Sequence, residues 1–162
     1  MFKAPVALTI LLHAAPLYGQ SLDDIEKDIE YSYYLISGST VSEIREQLNS
    51  KGPDGAWGKT YWTVHWFTDN SDCSVRVQAH IILPQLFSSS GLSDGDRATV
   101  EAVLRALEVH ENHHLQMGIF AAEEIQRYGC SDAAEIIDYW IEKNNEFDRN
   151  TLNGRSEGVE LR

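Results

Sequence analysis

The chain has 162 residues, 43% of them hydrophobic, and a formal net charge of −12 at pH 7. This length allows one domain with a single core and is short for two. The acidic balance excludes simple electrostatic binding to nucleic acid or anionic membrane, and favours cationic partners or plain solubility.

The first twenty residues have the pattern of a secretory signal peptide. Lys3 precedes an apolar run over residues 4–17, after which the chain turns polar and acidic at SLDDIEKDIE. The run is too short to span a bilayer as a mature helix. We therefore expect residues 1–20 to be removed, leaving residues 21–162 as a single exported domain, periplasmic or secreted, without a stable membrane span. The alternative is that the segment is retained as a core or anchoring element.

A strand and a helix are predicted first in the mature chain. Residues 31–37, YSYYLIS, are rich in aromatic and branched types, which predicts a strand that ends before Gly38. Thr40 and Glu43 then form a capping box, and apolar residues recur at helical spacing as far as the loop KGPDGAWGK. We expect a helix between the capping box and this loop.

A β-hairpin is predicted next. The hydrophobic period changes to two in residues 60–68 and 73–83, which is typical of paired strands with one buried face. The turn lies in DNSD, and Pro84 is expected to end the second strand. The apolar side of the second strand consists of Val75, Val77, Ala79, Ile81 and Leu83. In this register Trp62, Val64 and Trp66 oppose Ala79, Val77 and Val75.

A long helix and a shorter one complete the predicted elements. Residues 94–128 have helical periodicity, and Gly129 and Cys130 end that helix. A final helix is expected from about residue 131 to about residue 150, followed by the polar tail NGRSEGVELR. One stripe of the long helix is apolar apart from two histidines, and it consists of Val100, Val103, Leu107, His110, His114, Met117 and Ala121.

The two cysteines, Cys73 and Cys130, are an even number in a chain with an export signal. Disulfides persist in oxidising compartments, so we expect a bridge between them. Closing a loop of this size contributes roughly 4 kcal/mol in the chain-entropy model. The alternative is two buried free thiols.

The motif HENHH, residues 110–114, lies on the stripe of the long helix. His110 and His114 are one helical turn apart, so both rings leave the same face and can bind one cation. In the HExxH arrangement the histidines bind Zn²⁺, and the glutamate, here Glu111, accepts a proton from the water that attacks a carbonyl. The alternative is a pair of core histidines held by carboxylates or carbonyls. His113 points to another side and is expected to be exposed.

A catalytic zinc site needs a third protein ligand that leaves one position open for water. Glu123 and Glu124 lie on the same helix, about 14 Å beyond His114 at 1.5 Å per residue, which is too far. We expect the ligand to come from the last helix, because that helix should pack back against the HENHH helix. Its candidates are Glu142, Glu146 and Asp148.

The remaining histidines and the tryptophans are interpreted as structural. His65 and His80 lie on the polar side of the hairpin, with His65 opposite Arg76, and are interpreted as surface residues. The four tryptophans are interpreted as core or loop packing, and they are Trp57, Trp62, Trp66 and Trp140.

The order of these features resembles a family of bacterial exported domains, domain of unknown function 922, which are described as predicted secreted zinc-dependent proteases. The resemblance covers about residues 31–158. It depends on YYLISGST, Gly52-Pro53, the Trp-rich strand, Cys73, Leu83-Pro84, HENHH and EFDRNTLNG.

Two positions depart from the family pattern. His113 stands where the family typically has Gly, and Asn153 stands where the family's tail resembles D-x-x-T-x-H-G. If the family's tail His is the third ligand, Asn153 is a poor substitute and the site binds metal weakly or is inactive. If Asp148 is the ligand, as in zinc peptidases completed by an aspartate, the site survives.

The sequence thus predicts an α+β domain in which a small antiparallel sheet packs against the long HExxH helix and a C-terminal helix, as in zincin-like peptidases. The first hypothesis is a zinc metallopeptidase with His110, His114 and Asp148 as ligands of one Zn²⁺ and Glu111 as general base. Its substrate is a peptide or protein, which an exposed hairpin edge binds by strand addition. The second hypothesis is a catalytically degenerate binding or envelope-structural module, with or without metal.

Overall fold

The structure is a computed structural model that describes residues 25–70 and 72–161. The predicted signal peptide, residues 1–20, lies outside the described residues. The elements are β1 (Glu26–Ser37), α1 (Val41–Lys51), β2 (Lys59–Asp69), β3 (Asp72–Ser88), α2 (Asp94–Arg127) and α3 (Ala133–Thr151), with short 3-10 turns at Pro53–Gly55 and Arg155–Glu157. The chain is α+β, as the sequence predicts.

The predicted hairpin register is confirmed. β2 and β3 are antiparallel, and Trp62, Val64 and Trp66 pair with Ala79, Val77 and Val75. His65 pairs with Arg76, also as predicted. Alternation of apolar and polar residues fixes this register, because a slip by one residue would expose every buried side chain.

The prediction of a purely antiparallel sheet is wrong. The strand order is β1-β3-β2, and β1 pairs with β3 in parallel, so the sheet is mixed. The chain leaves β1 through α1, returns as β2 and turns back as β3, which gives β3 the same direction as β1. Periodicity reports which face of a strand is buried and carries no information about the direction of its neighbour.

Two strands are longer than the sequence predicts. β1 begins at Glu26, and β3 continues through Pro84 to Ser88. Because β2 begins opposite Ile82, β3 has no neighbour on that side beyond this point. A proline without an N–H group is tolerated at such an edge position.

The core lies between one face of the sheet and α2. The five apolar β3 residues that the alternation selects are all buried. Helix α2 covers them with Leu107, Leu115, Ile119, Ala122 and Ile125. A second cluster at the other end of α2 joins Ile36, Ile44, Leu48, Val100, Val103 and Leu161. The predicted stripe of α2 is buried apart from Met117, which is half-buried.

The predicted capping box begins α1. The Thr40 hydroxyl accepts from the backbone N–H of Glu43 at 3.2 Å, and the Glu43 carboxylate accepts from the backbone N–H of Ser39 at 2.8 Å. The first bond satisfies a backbone donor that the first turn of the helix leaves open, and the second ties the residue before the N-cap to the helix. Ile44 and Leu48, which share one face of the helix, are fully buried against the sheet end.

Cys73 and Cys130 are joined by a disulfide, with their Cα atoms 5.5 Å apart. Cys73 lies at the start of β3, and Cys130 follows the end of α2. The bridge therefore connects the sheet to the end of the helix that carries HENHH. Among the described residues, no helix is long and apolar enough to cross a membrane.

Helix α3 ends at Thr151, close to the predicted end near residue 150, and the polar tail that follows is folded against the domain. Leu152, Asn153 and Gly154 all have positive φ, so the chain reverses after α3. Val159 and Leu161 are then buried, each in one of the two clusters. Only two of the ten residues 153–162 are apolar, and two are too few to give a periodic pattern that would predict this packing.

Candidate metal centre

Three potential ligand atoms meet between α2 and α3. His110 and His114 lie on α2 and are about 95% buried, and Asp148 lies on α3. Nε2 of His110 and Nε2 of His114 are 3.2 Å apart. Oδ1 of Asp148 is 3.2 Å from the first and 2.9 Å from the second. The three residues form a group that could hold a metal ion.

The ring of His110 is oriented by the tail. Its Nδ1 donates to the carboxylate of Glu157 at 2.7 Å, because an ionised carboxylate can only accept. The chain reversal at Leu152–Gly154 brings the 3-10 turn at Arg155–Glu157 back to α2. Gly154 is required in this turn, since its φ is +80° and a Cβ there would lie 2.7 Å from Val159.

The ring of His114 is oriented by two successive hydrogen bonds, the first of which comes from a side chain of the sheet. The indole N–H of Trp62, which is only a donor, lies 3.3 Å from Oδ1 of Asn144. This contact fixes the oxygen of the Asn144 amide on the side facing His114, 2.8 Å from its Nδ1. Nδ1 of His114 therefore carries the hydrogen and donates.

Because each histidine carries its hydrogen on Nδ1, the Nε2 atoms of both rings face the centre as potential ligands. A neutral imidazole with hydrogen on Nδ1 has a lone pair on Nε2. Two such lone pairs and one carboxylate oxygen then face one another at 2.9 to 3.2 Å. A metal cation between them would accept all three lone pairs. The donor set and its tautomers fit a metal.

Phe147 packs the two rings into position. Its ring stacks on His110 with centroids 5.0 Å apart and an interplanar angle of 22°. It meets His114 edge-on, with centroids 5.2 Å apart. Such contacts restrict rotation of both imidazoles about their side-chain bonds. Phe147 precedes Asp148 on α3, so one helix supplies both the third potential ligand and the packing.

Glu111 lies beside this group, buried to about 95%. The Thr60 hydroxyl donates to its carboxylate at 2.8 Å. Gly58 leaves room for it, because a Cβ at Gly58 would lie 3.0 Å from Oε1 of Glu111. Burial raises the pKa of the Glu111 carboxyl, while the bond from Thr60 and the two histidines oppose that rise.

The centre opens into a cleft of about 640 Å³. The two histidines, Glu111 and Asp148 line it together. Asn153, which stands where the family pattern has His, lines the same cleft. Its backbone N–H bonds the Asp148 carbonyl at 2.8 Å, so the two candidate positions for a third ligand are neighbours in space.

Several candidates from the sequence lie outside the centre. Glu142 pairs with Arg149 and Glu146 pairs with Lys143 on the surface of α3. The side chain of His113 is 50% exposed, as predicted, and lies 3.7 Å from Glu157. Among the hairpin histidines, His65 is exposed and His80 is half-buried against Ser32.

The sequence interpretation missed the residues that support the ligands. Asn144 and Asp148 are four residues apart and share a face of α3, a spacing that could have paired them. No pattern in the sequence pointed to Thr60 or Glu157, because only the folding of distant parts of the chain brings each of them to the centre.

The fold and the centre define an α+β protein with a mixed three-stranded sheet and a His/His/Asp group, its two histidines buried, that could hold a metal ion. Within that class, the chain belongs to the family described as "Bacterial protein of unknown function (DUF922)", whose model matches residues 31–154. This is the family that the sequence resembles. Comparisons with curated proteins and with solved structures found no match. The zincin-like assignment stays a prediction.

Proposed function

We propose that the protein is an exported zinc-dependent metallopeptidase with a zincin-like centre. One observation carries the proposal: Nε2 of His110, Nε2 of His114 and Oδ1 of Asp148 meet in an open cleft that Glu111 also lines. The disulfide and the N-terminal signal pattern support action in an oxidising compartment outside the cytoplasm.

We assign zinc to this donor set because the two histidines and Glu111 follow the HExxH pattern. Imidazole nitrogens and a carboxylate bind Zn²⁺ at about 2.0 to 2.2 Å, which separates tetrahedral ligands by about 3.3 Å. The observed separations of 2.9 to 3.2 Å approach that value. His110, His114 and Asp148 would hold the ion, and all three line the cleft.

Bound zinc would activate a water molecule and polarise the substrate carbonyl. Glu111 would accept the proton of the attacking water at its carboxylate and return it to the amine nitrogen when the C–N bond breaks. The bond from Thr60 holds the carboxylate in place for this transfer. Glu157 and Asn144 keep the hydrogen of each imidazole on Nδ1, which leaves Nε2 free to bind.

The sheet edge next to the centre suits a peptide substrate. β2 is an edge strand, so its outer N–H and C=O groups are available to an extended chain. Thr60 lies at the start of this strand and bonds Glu111. A peptide paired along β2 would thus pass the residues that act on its scissile bond.

Metal content tests the proposal first. We would measure zinc by mass spectrometry on the mature chain, purified without a His tag, beside His110→Ala/His114→Ala and a matched His113→Ala control. The proposal expects near-stoichiometric zinc in the wild type and the control, and none in the double variant. Failure of the wild type to bind zinc, even on titration, would overturn it and favour the binding or envelope-structural module.

Hydrolysis tests the second half of the proposal. Fluorescently labelled casein is a general substrate for a peptidase of unknown specificity. Glu111→Gln should retain zinc and lose at least 100-fold in rate, because general-base catalysis contributes about 10²- to 10⁴-fold. Equal rates for the wild type and this variant would show that the activity belongs to a contaminant.

A further inference from the structure

A second groove, of about 440 Å³, lies between β2 and α3 beside the metal cleft. This volume is in the usual range for ligand sites. Trp62, Val64 and Trp66 project from one face of β2, since alternate residues of a strand share a face. The facing wall is one stripe of α3, formed by Ile137, Ile141 and Asn144.

Trp62 rests on Gly118 at the base of this groove. A Cβ at Gly118 would lie 2.7 Å from Cγ of Trp62, so the ring can lie against α2 only because this position is glycine. Helix α2 contacts both β2 and α3, which form the two walls. The groove is therefore built by three packed elements.

The groove is continuous with the candidate metal centre. Thr60 and Asn144 line both the groove and the cleft. Thr60 donates to Glu111, and Asn144 accepts from His114. The cleft and the groove therefore adjoin at Thr60 and Asn144.

The length of the groove matches a segment of extended peptide. Trp66 lies six positions beyond Thr60, and a strand rises about 3.3 Å per residue, so this wall is about 20 Å long. A peptide alongside β2 advances at the same rate. Alternate side chains of such a peptide point to the same side, which here is the groove.

The lining selects apolar side chains. None of the residues that line the groove carries a formal charge. Trp66 and Ile141 are 40% and 45% exposed, which leaves apolar surface in contact with water. A charged side chain would lose hydration here without gaining a partner, whereas a Leu or Phe side chain would be transferred from water to an apolar wall.

We propose that this groove binds the substrate on one side of the scissile bond, and that it selects extended peptides with large apolar side chains at alternate positions. The inference rests on the proposed function, because the peptidase centre defines which chain enters the groove. Trp66 and Ile141 determine the specificity, and the Trp62 to Asn144 bond connects the groove to His114.

Peptide binding tests this inference without requiring turnover. The protein is the mature Glu111→Gln chain, and the probe is a fluorescein-labelled hexapeptide with Leu at positions 1, 3 and 5 and Ser elsewhere. A matched peptide carries Asn in place of each Leu. We would measure fluorescence anisotropy for this protein, and for Trp66→Ser, Ile141→Ser and the control Tyr139→Ser in the same background. Tyr139 is exposed on α3 and does not line the groove.

The Leu peptide should bind at least about tenfold more tightly than the Asn peptide, because each buried Leu gains transfer free energy. Trp66→Ser and Ile141→Ser should abolish most of this preference, and Tyr139→Ser should keep it. Equal affinity for the two peptides, or a preference that survives both groove substitutions, would overturn the inference.

Zinc content and casein hydrolysis, measured on the mature wild-type chain with Glu111 intact, separate the two proposals. Zinc and hydrolysis without a preference for Leu would retain the peptidase and reject the groove. A groove-dependent preference without zinc would retain the peptide site and reject the peptidase.

Discussion

The carboxylate of Glu157 lies 2.7 Å from Nδ1 of His110, although the two residues are 47 positions apart in the chain. The tail thus returns to the motif helix and fixes the orientation of its first histidine. Asn144, which lies on α3, likewise fixes the orientation of the His114 ring. The two potential ligands on one helix are held by partners from two different parts of the fold.

Replacing Glu157 should weaken metal binding. Glu157→Gln removes the charge that holds the Nδ1 hydrogen of His110, and loss of such a partner typically lowers metal affinity about 10- to 100-fold. Competition with a fluorescent zinc chelator measures the affinity. Glu135→Gln, at an exposed position of α3, is the matched control and should bind zinc as the wild type does.

Replacing Asn144 should have a comparable effect through His114. Asn144→Leu removes the acceptor for both His114 and Trp62, so zinc affinity should fall by about 10-fold or more. Asn144→Asp keeps an acceptor in the same place and should retain most of the affinity. If the Leu and Asp variants bind zinc equally well, the bond from His114 does not position the ring.

The close packing of Trp62 on α2 predicts a steric effect on stability. Gly118→Ala forces Trp62 to move and should lower the free energy of unfolding by about 1 to 3 kcal/mol. Urea denaturation measures the change. Gly95→Ala in the same helix is the control, because its Cβ would have only the Ser93 hydroxyl, 3.9 Å away, within contact range. That substitution should leave stability unchanged or raise it by up to about 1 kcal/mol.

The disulfide should account for a large part of the stability. Its residues are 57 apart in sequence, so its removal is expected to cost about 4 kcal/mol in the chain-entropy model. Cys73→Ala/Cys130→Ala should unfold at a much lower urea concentration than the oxidised wild type. The wild type with dithiothreitol should approach the variant, and an unchanged midpoint under reduction would contradict the bridge.

Local patterns in the sequence predicted many features of this chain correctly. The hairpin register follows from alternation, because each strand buries one face. The capping box at Thr40 and the buried stripe of α2 follow from helical spacing. The pairing of the two histidines follows from the same spacing, since residues four apart share one face of a helix.

The tertiary structure decided the features that depend on distant parts of the chain. The parallel pairing of β1 with β3, the return of the tail and the extension of β3 past Pro84 have no local signature. Periodicity reports burial within one element, whereas strand direction and chain reversal arise from how elements pack together.

The sequence by itself thus determined a potential metal site on one helix, with two histidines and a glutamate in place. The sequence hypothesis also named Asp148, and the tertiary structure brings it to the two histidines, whereas only the tertiary structure brought Thr60, Asn144 and Glu157 to the centre. The physical reason is that helical spacing fixes neighbours within one turn, whereas a metal centre needs ligands and supporting hydrogen bonds from several directions around one point.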